Sequence, residues 1–155
     1  MYTIALVGKA RTGKTAFLER HATGEFVGRY KPTAGMVTTQ LGWSTTRGEY
    51  TVNVIDCEAG IIPVGVDMYM LFISSLEDVK EWSTLSKIVP ESSIMVLQSF
   101  CDLRETKYVL NDVPRGDYIA RYRVSARSNY RRPFLSALRY LTRDPHLAYI
   151  EDPTL

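Results

Sequence analysis

Two hydrophobic rhythms take turns along this chain, and their order predicts most of its elements. Tyr2–Val7 is a short, mostly apolar run that stops at a glycine-containing loop, the pattern of a strand buried on both faces. A helix is expected at about Lys14–Ala22, closed by Gly24. Val37–Thr46 and Glu49–Asp56 read as strands, with Arg47-Gly48 between them as a hairpin turn. In the second of these, Tyr50, Val52 and Val54 share one face, and Thr51, Asn53 and Ile55 share the other. Val66–Ile73 and Ser93–Gln98 are further buried strands, separated by a helix near Leu76–Ile88. Tyr118–Val124 is a last strand and Arg131–Thr142 a last helix, with Phe134, Leu135, Leu138 and Leu141 at helical spacing. Strands alternating with helices predict an α/β fold, a mostly parallel sheet with one antiparallel hairpin strand and helices on both faces. No repeat or low-complexity stretch breaks the chain, so residues 1–155 are expected to form a single domain.

The chemistry enters at the end of the first strand. Gly8-Lys-Ala-Arg-Thr-Gly13-Lys14-Thr15 matches GxxxxGK[ST] at every fixed position, with an apolar strand before it and a helix after it. A loop of this length wraps backbone N–H groups around a phosphate chain, and the helix N-terminus adds partial positive charge. The loop residues Gly8, Lys9, Ala10, Arg11, Thr12 and Gly13, with Lys14, Thr15 and Ala16, are therefore the candidate nucleotide site. Lys14 is expected to reach the β- and γ-phosphates and the Thr15 hydroxyl to ligate Mg²⁺. Asp56, at the end of the second hairpin strand, is the candidate acid holding that Mg²⁺ through water, although a strand-ending aspartate is also a common turn residue. This loop alone leaves kinases, ATPases and GTPases open.

Composition narrows the setting. The 155 residues are 45% hydrophobic and 23% charged, ordinary values for a globular domain. No stretch approaches the roughly 18 apolar residues of a membrane span, and no signal peptide is expected before the first strand. Cys57 and Cys101 are the only cysteines, without a CxxC or Cys/His cluster, which predicts a reducing compartment, two buried thiols and no structural metal. The net charge is +2, but arginines 115, 121, 123, 127, 131, 132, 139 and 143 face only Asp117 before the acids Asp144, Glu151 and Asp152. Such a stretch serves either as a solvated helix face or as a surface for phosphate, nucleic acid or an acidic protein.

From the glycine-rich loop almost to the end, the chain resembles the Ran family of small GTPases. The residues that carry the resemblance are Thr12-Gly-Lys-Thr-Ala-Phe17, Arg20-His-Ala-Thr-Gly-Glu-Phe26, Tyr30-Lys-Pro-Thr33-Ala-Gly35 and Thr45-Thr-Arg-Gly48. Near the end they are Ser125-Ala-Arg-Ser-Asn-Tyr130, Pro133-Phe-Leu135 and Asp144-Pro-His-Leu147. The resemblance implies the small-GTPase fold of P-loop NTPases, with GTP or GDP and Mg²⁺ as ligands. It makes Thr33 the switch I threonine on Mg²⁺, Phe26 the aromatic against the guanine, and Tyr30 the tyrosine over the phosphates. Ser125 and Ala126, with Arg127 beside them, are similar to the loop whose backbone N–H reads the guanine O6. The implied partners are proteins, importin-β-type transport receptors or Ran-binding proteins, with neither a membrane nor nucleic acid expected. The implied location is cytoplasm and nucleus, and the implied process nucleocytoplasmic transport.

The chain departs from the family where catalysis and base reading are concerned. The NKxD motif stands as Ser99-Phe100-Cys101-Asp102, keeping in Asp102 the carboxylate that accepts from guanine N1 and N2. Losing one or two buried hydrogen bonds with the asparagine would cost about 1–3 kcal/mol, roughly 10- to 100-fold in affinity. The DTAGQ motif stands as Asp56-Cys-Glu-Ala-Gly60 followed by Ile61, so no glutamine orients the attacking water and no catalytic residue is assigned. Only Cys57 to Gly65 separate the two flanking strands, too few residues for the family's switch II helix. Ala10 puts a β-carbon where the family has glycine, and Arg11 is a speculative source of charge in cis. The chain also ends soon after Leu147, without the family's C-terminal tail, which implies a more easily populated GTP-like state. The expectation is a switch or GTP-locked binder of protein partners with very slow hydrolysis. The alternatives are a pseudo-GTPase or decoy indifferent to nucleotide state, and a phosphotransferase of the P-loop kinase class, on which Asp102, Ser125 and Ala126 would have no explanation.

Overall fold

A computed structural model of the chain describes residues 1–9, 12–22, 26–29, 35–99, 113, 116, 118–124 and 131–150. Strand β1 (Tyr2–Val7) leads into helix α1 (Lys14–Ala22), then β2 (Phe26–Arg29), β3 (Met36–Thr45) and β4 (Gly48–Cys57). After β5 (Met68–Ile73), a 3₁₀ turn at Leu76–Val79 runs straight into α2 (Lys80–Ile88), and β6 (Ile94–Gln98), β7 (Ala120–Arg123) and α3 (Arg132–Thr142) follow. Each expected strand and helix is present with its ends moved by at most two residues, counting the 3₁₀ turn at Leu76–Val79 with α2, while β2 was not expected. Four residues long and holding Gly28, β2 offers too little alternation to announce itself. The hairpin turn falls at Thr46-Arg47, with Thr45 paired to Gly48.

The strands form one sheet in the order β2-β3-β4-β1-β5-β6-β7. Strand β3 is antiparallel to both its neighbours, and β4, β1, β5, β6 and β7 are mutually parallel. The fold is therefore α/β with a mostly parallel sheet and one strand running against the rest.

Period-2 alternation sorts the side chains of the central strands onto two faces. On one face Ile4, Leu6, Met68, Met70, Phe72, Met95 and Leu97 pack with Phe17 and Leu18 of α1 and Phe134, Ala137 and Leu138 of α3. On the other, Ala5, Val7, Tyr69, Leu71, Ile73, Ile94 and Val96 pack with Trp82 and Leu85 of α2. The first face has an aromatic centre. Phe17 stacks on Phe134 at 5.5 Å between ring centroids and meets Phe72 edge-on at 5.2 Å, and Trp43 lies 5.0 Å from Phe134.

The second face shows how the chain crosses from β4 to β5 with β1 between them. The connection Glu58–Asp67 contains no helix. Ten residues reach at most about 36 Å, enough to travel back along a six-residue strand in extended form but not to add a helix and two turns. The segment is a strap over the α2 face, where Ile61, Ile62 and Val66 pack against the Ala5, Val7 and Leu71 side of the sheet. The Asp67 N–H donates to Thr3 O at 2.9 Å, and the Thr3 N–H donates back to Asp67 Oδ2 at 2.7 Å. The Tyr69 hydroxyl donates to Pro63 O at 2.6 Å. The strap and α2 carry the chain the same way across the same face, and α1 carries it the opposite way across the other. That is one handedness for these three connections, as parallel crossovers require.

The residues after α3 tie its end to the β3–β4 hairpin. Arg143 closes the helix in the left-handed region at φ 57°. Beyond it, Thr46 N–H donates to Ala148 O at 2.9 Å and Ile150 N–H to Ser44 O at 3.0 Å, with Leu147 fully buried. The Arg47 guanidinium bonds Asp144 Oδ2 at 2.8 Å in solvent and, with the His146 N–H, holds that carboxyl below the usual range. Leu147→Ala should accordingly cost about 2–5 kcal/mol in urea unfolding. Arg47→Ala should move the midpoint far less, because exposed ion pairs contribute little.

Candidate functional site

Sheet topology points to the site before any side chain does. The chain leaves β1 for α1 on one face and β5 for α2 on the other, so the carboxyl ends of these adjacent strands flank a crevice. Open parallel sheets bind ligands at such a switch point. Gly8 follows β1 directly, with φ 141°, and a β-carbon there would stand 2.7 Å from Phe72 O of β5. Only glycine lets the loop pass this close to the neighbouring strand.

Lys14 opens α1 and folds back into the loop it follows. Its Nζ donates to Lys9 O at 2.7 Å, to Gly8 O at 3.0 Å and to Thr12 Oγ1 at 3.4 Å. Thr12 Oγ1 in turn donates to Lys9 O at 2.8 Å. These contacts aim the ammonium inward across the curve of the loop, with 7% of the residue exposed. Burial pulls its pKa below the usual lysine range, against the opposing pull of Asp56, Cys57, Asp78 and Glu81. Helix α1 has no acid in its first turn, so its N-terminal partial charge adds to that of Lys14. A buried ammonium beside a helix N-terminus and a glycine-rich backbone is suited to a polyanion.

Thr15, the next residue, donates its hydroxyl to Asp56 Oδ2 at 2.6 Å. Leu6 and Asp56 are register partners in the β1–β4 pair, which sets the carboxylate at the mouth of the loop. A hydroxyl and a carboxylate at this spacing can share a hard divalent cation, directly or through its waters, with phosphate oxygens supplying the remaining ligands. The donor set therefore fits Mg²⁺ held together with a phosphate chain.

Of the residues expected from sequence, Gly8, Lys9, Thr12, Gly13, Lys14, Thr15, Ala16 and Asp56 are gathered at this edge. Phe26 begins β2. Ala10, Arg11, Tyr30, Thr33, Asp102, Ser125, Ala126 and Arg127 lie outside the described residues, as do Cys101 and the side chain of Phe26. Ser99 donates both its N–H and its hydroxyl to Ile73 O, at 3.0 and 3.3 Å, tying the end of β6 to the end of β5.

Asp78 was missed. It is 5% exposed and accepts from Ser74 N–H, Ser74 Oγ and Ser75 N–H at 2.8, 2.9 and 3.1 Å, fixing the turn beyond β5. The spacing Ser75-x-x-Asp78 before a helix is a capping pattern legible in the sequence. What the sequence could not reveal is that this acid, with Glu81, bears on Lys14.

Cys57 is 1% exposed, and burial, reinforced by Asp56, raises its thiol from 9.0 to about 11, with Lys14 pulling the other way. The neutral thiol favours the fold fully below pH 9, and that contribution is lost as pH rises through about 11. In a Cys101→Ser background, iodoacetamide at pH 8 should alkylate Cys57 far more slowly in the folded chain than in urea, since the thiolate is the nucleophile. Cys57→Ala should flatten the fall in stability above pH 9. No family model matches the chain.

Proposed function

We propose that this chain is a guanine-nucleotide-binding protein of the small-GTPase kind, built on the P-loop NTPase fold and related to the Ran family. It binds GTP or GDP with Mg²⁺, hydrolyses slowly if at all, and acts through protein partners of the nuclear-transport type. The observation that carries the reading is the geometry around Lys14 and Thr15. A glycine-rich loop of GxxxxGKT spacing stands at a sheet switch point, its lysine turned inward and its threonine bonded to an acid from the adjacent strand.

In this reading the backbone N–H groups of the Gly8–Thr15 loop and the Lys14 ammonium hold the phosphates, and Thr15 and Asp56 hold the metal, joined by Thr33. Asp102 accepts from the guanine, and the loop at Ser125-Ala126 meets its carbonyl. Phe26 and Tyr30 cover the base and the phosphates. Mg²⁺ supplies charge neutralisation at the β- and γ-phosphates when bound. The slow turnover follows from residues this chain lacks. Phosphoryl transfer depends on positioning and charge stabilisation, and no glutamine stands after Asp56-Cys-Glu-Ala-Gly60 to orient a water.

Titration with fluorescent GDP, GTP and ATP analogues, with and without Mg²⁺, tests the reading. Guanine-selective, Mg²⁺-dependent binding with little phosphate release over hours is expected; equal affinity for ATP, or no binding, would overturn it. Lys14→Met should weaken GDP binding by roughly 10- to 100-fold, the value of one charge-assisted bond. Asp102→Ala should remove most of the preference for guanine over adenine while leaving binding through the phosphates.

A further inference from the structure

We infer that the Glu58–Asp67 strap is a latch that holds one conformation whatever nucleotide occupies the neighbouring loop. The site then binds without relaying the presence of a third phosphate to this part of the surface. The inference rests on the nucleotide-binding reading for its ligand, but the latch itself is a matter of named contacts.

The strap begins two residues after Asp56, the acid bonded to Thr15 at the mouth of the loop. At that point it is fastened to Gly35, the residue directly before β3. The Glu58 N–H donates to Gly35 O at 2.9 Å, extending the β3–β4 ladder by one rung. Gly35 has φ 80°, and a β-carbon there would stand 2.4 Å from Ile61 Cδ1 and 3.0 Å from Glu58 Oε2. The Ile61 Cδ1 thus fills the space that a β-carbon on Gly35 would need, and the Ile61 N–H turns back to Glu58 O at 3.1 Å. The far end is held by the reciprocal Thr3–Asp67 pair and the middle by Tyr69 on Pro63.

A relay needs an element with two arrangements of similar free energy, which a ligand then biases. Lifting this strap would strip Ile61, Ile62 and Val66 from the sheet and break bonds at both ends, with no helix in the segment to rearrange as a unit. A ligand with equal affinity for two states of an element shifts nothing, however tightly it binds.

The test is amide exchange by NMR on the full chain without nucleotide, with Mg²⁺-GDP and with Mg²⁺-GTPγS, with a fluorescent-nucleotide titration of the same samples. The Glu58, Ile61 and Asp67 amides should be protected in all three states, with Glu58 rates agreeing within about threefold. Ile61→Ala should speed Glu58 exchange by about tenfold or more in the nucleotide-free chain, while Asp67, anchored on Thr3, changes little. Gly35→Ala should do the same if it folds, and Ile61→Ala keeps the test decisive if it does not. A Glu58 rate differing by more than about tenfold between the GDP and GTPγS forms overturns the latch. So does a Glu58 amide that is unprotected without nucleotide, or one indifferent to Ile61→Ala. Failure of the titration overturns the nucleotide reading, while the comparison with Ile61→Ala still decides whether the strap is anchored.

Discussion

The close approach of Gly8 to the carbonyl of Phe72 is the constraint on which the rest of the structure depends. Strands β1 and β5 are parallel neighbours, and the chain leaves them for opposite faces of the sheet. For the loop to pass between those exits, its first residue must come within 2.7 Å, measured from a β-carbon it does not have. The path taken there turns the loop so that Lys14 Nζ meets the carbonyls of Gly8 and Lys9 and Thr15 meets Asp56. A side chain at Gly8 would disturb the strand pairing and the candidate site together.

The two faces of the sheet are covered by different means. The α1 and α3 side is thick and aromatic, with Phe17 against Phe72 and Phe134, Trp43 against Phe134, and Tyr149 stacked beyond Trp43 at 6.5 Å. There the residues after α3 close the core by bonding to the hairpin. Among the described residues, the α2 side has one helix and an extended strap, with Ala5 of β1 in the same cluster as Ile61, Ile62 and Val66. A ten-residue crossing left no other solution.

Electrostatics at the site are a balance struck in a small volume. Burial disfavours the Lys14 ammonium, while Asp56, Cys57, Asp78 and Glu81 favour it. Asp78 is itself committed to three donors around Ser74 and Ser75, so its charge is fixed in place. The cation is thus held among acids and loop carbonyls, oriented for an anion whose charge would take over part of that compensation.

By itself the sequence determined the order and kind of the elements, because period-2 and period-3.6 burial are local patterns that each segment writes independently. It also determined the loop: GxxxxGKT between an apolar strand and a helix names Gly8, Lys14 and Thr15 without coordinates. Asp56 was legible as a candidate for the same reason, as an acid at the end of a strand. What only the tertiary structure decided are the relations between distant segments. Strand β2 forms because β3 offers it an edge, with Arg29 paired to Thr39, and four residues containing a glycine carry no periodicity of their own. The pairing of Thr15 with Asp56 spans 41 positions and follows from the β1–β4 register. The support that Asp78 and Glu81 give the Lys14 ammonium, and the seat of Ile61 on Gly35, likewise arise from which strands became neighbours. The short count of residues between β4 and β5 was visible in the sequence, but that the segment would lie as an anchored strap depended on the face the crossing had to follow.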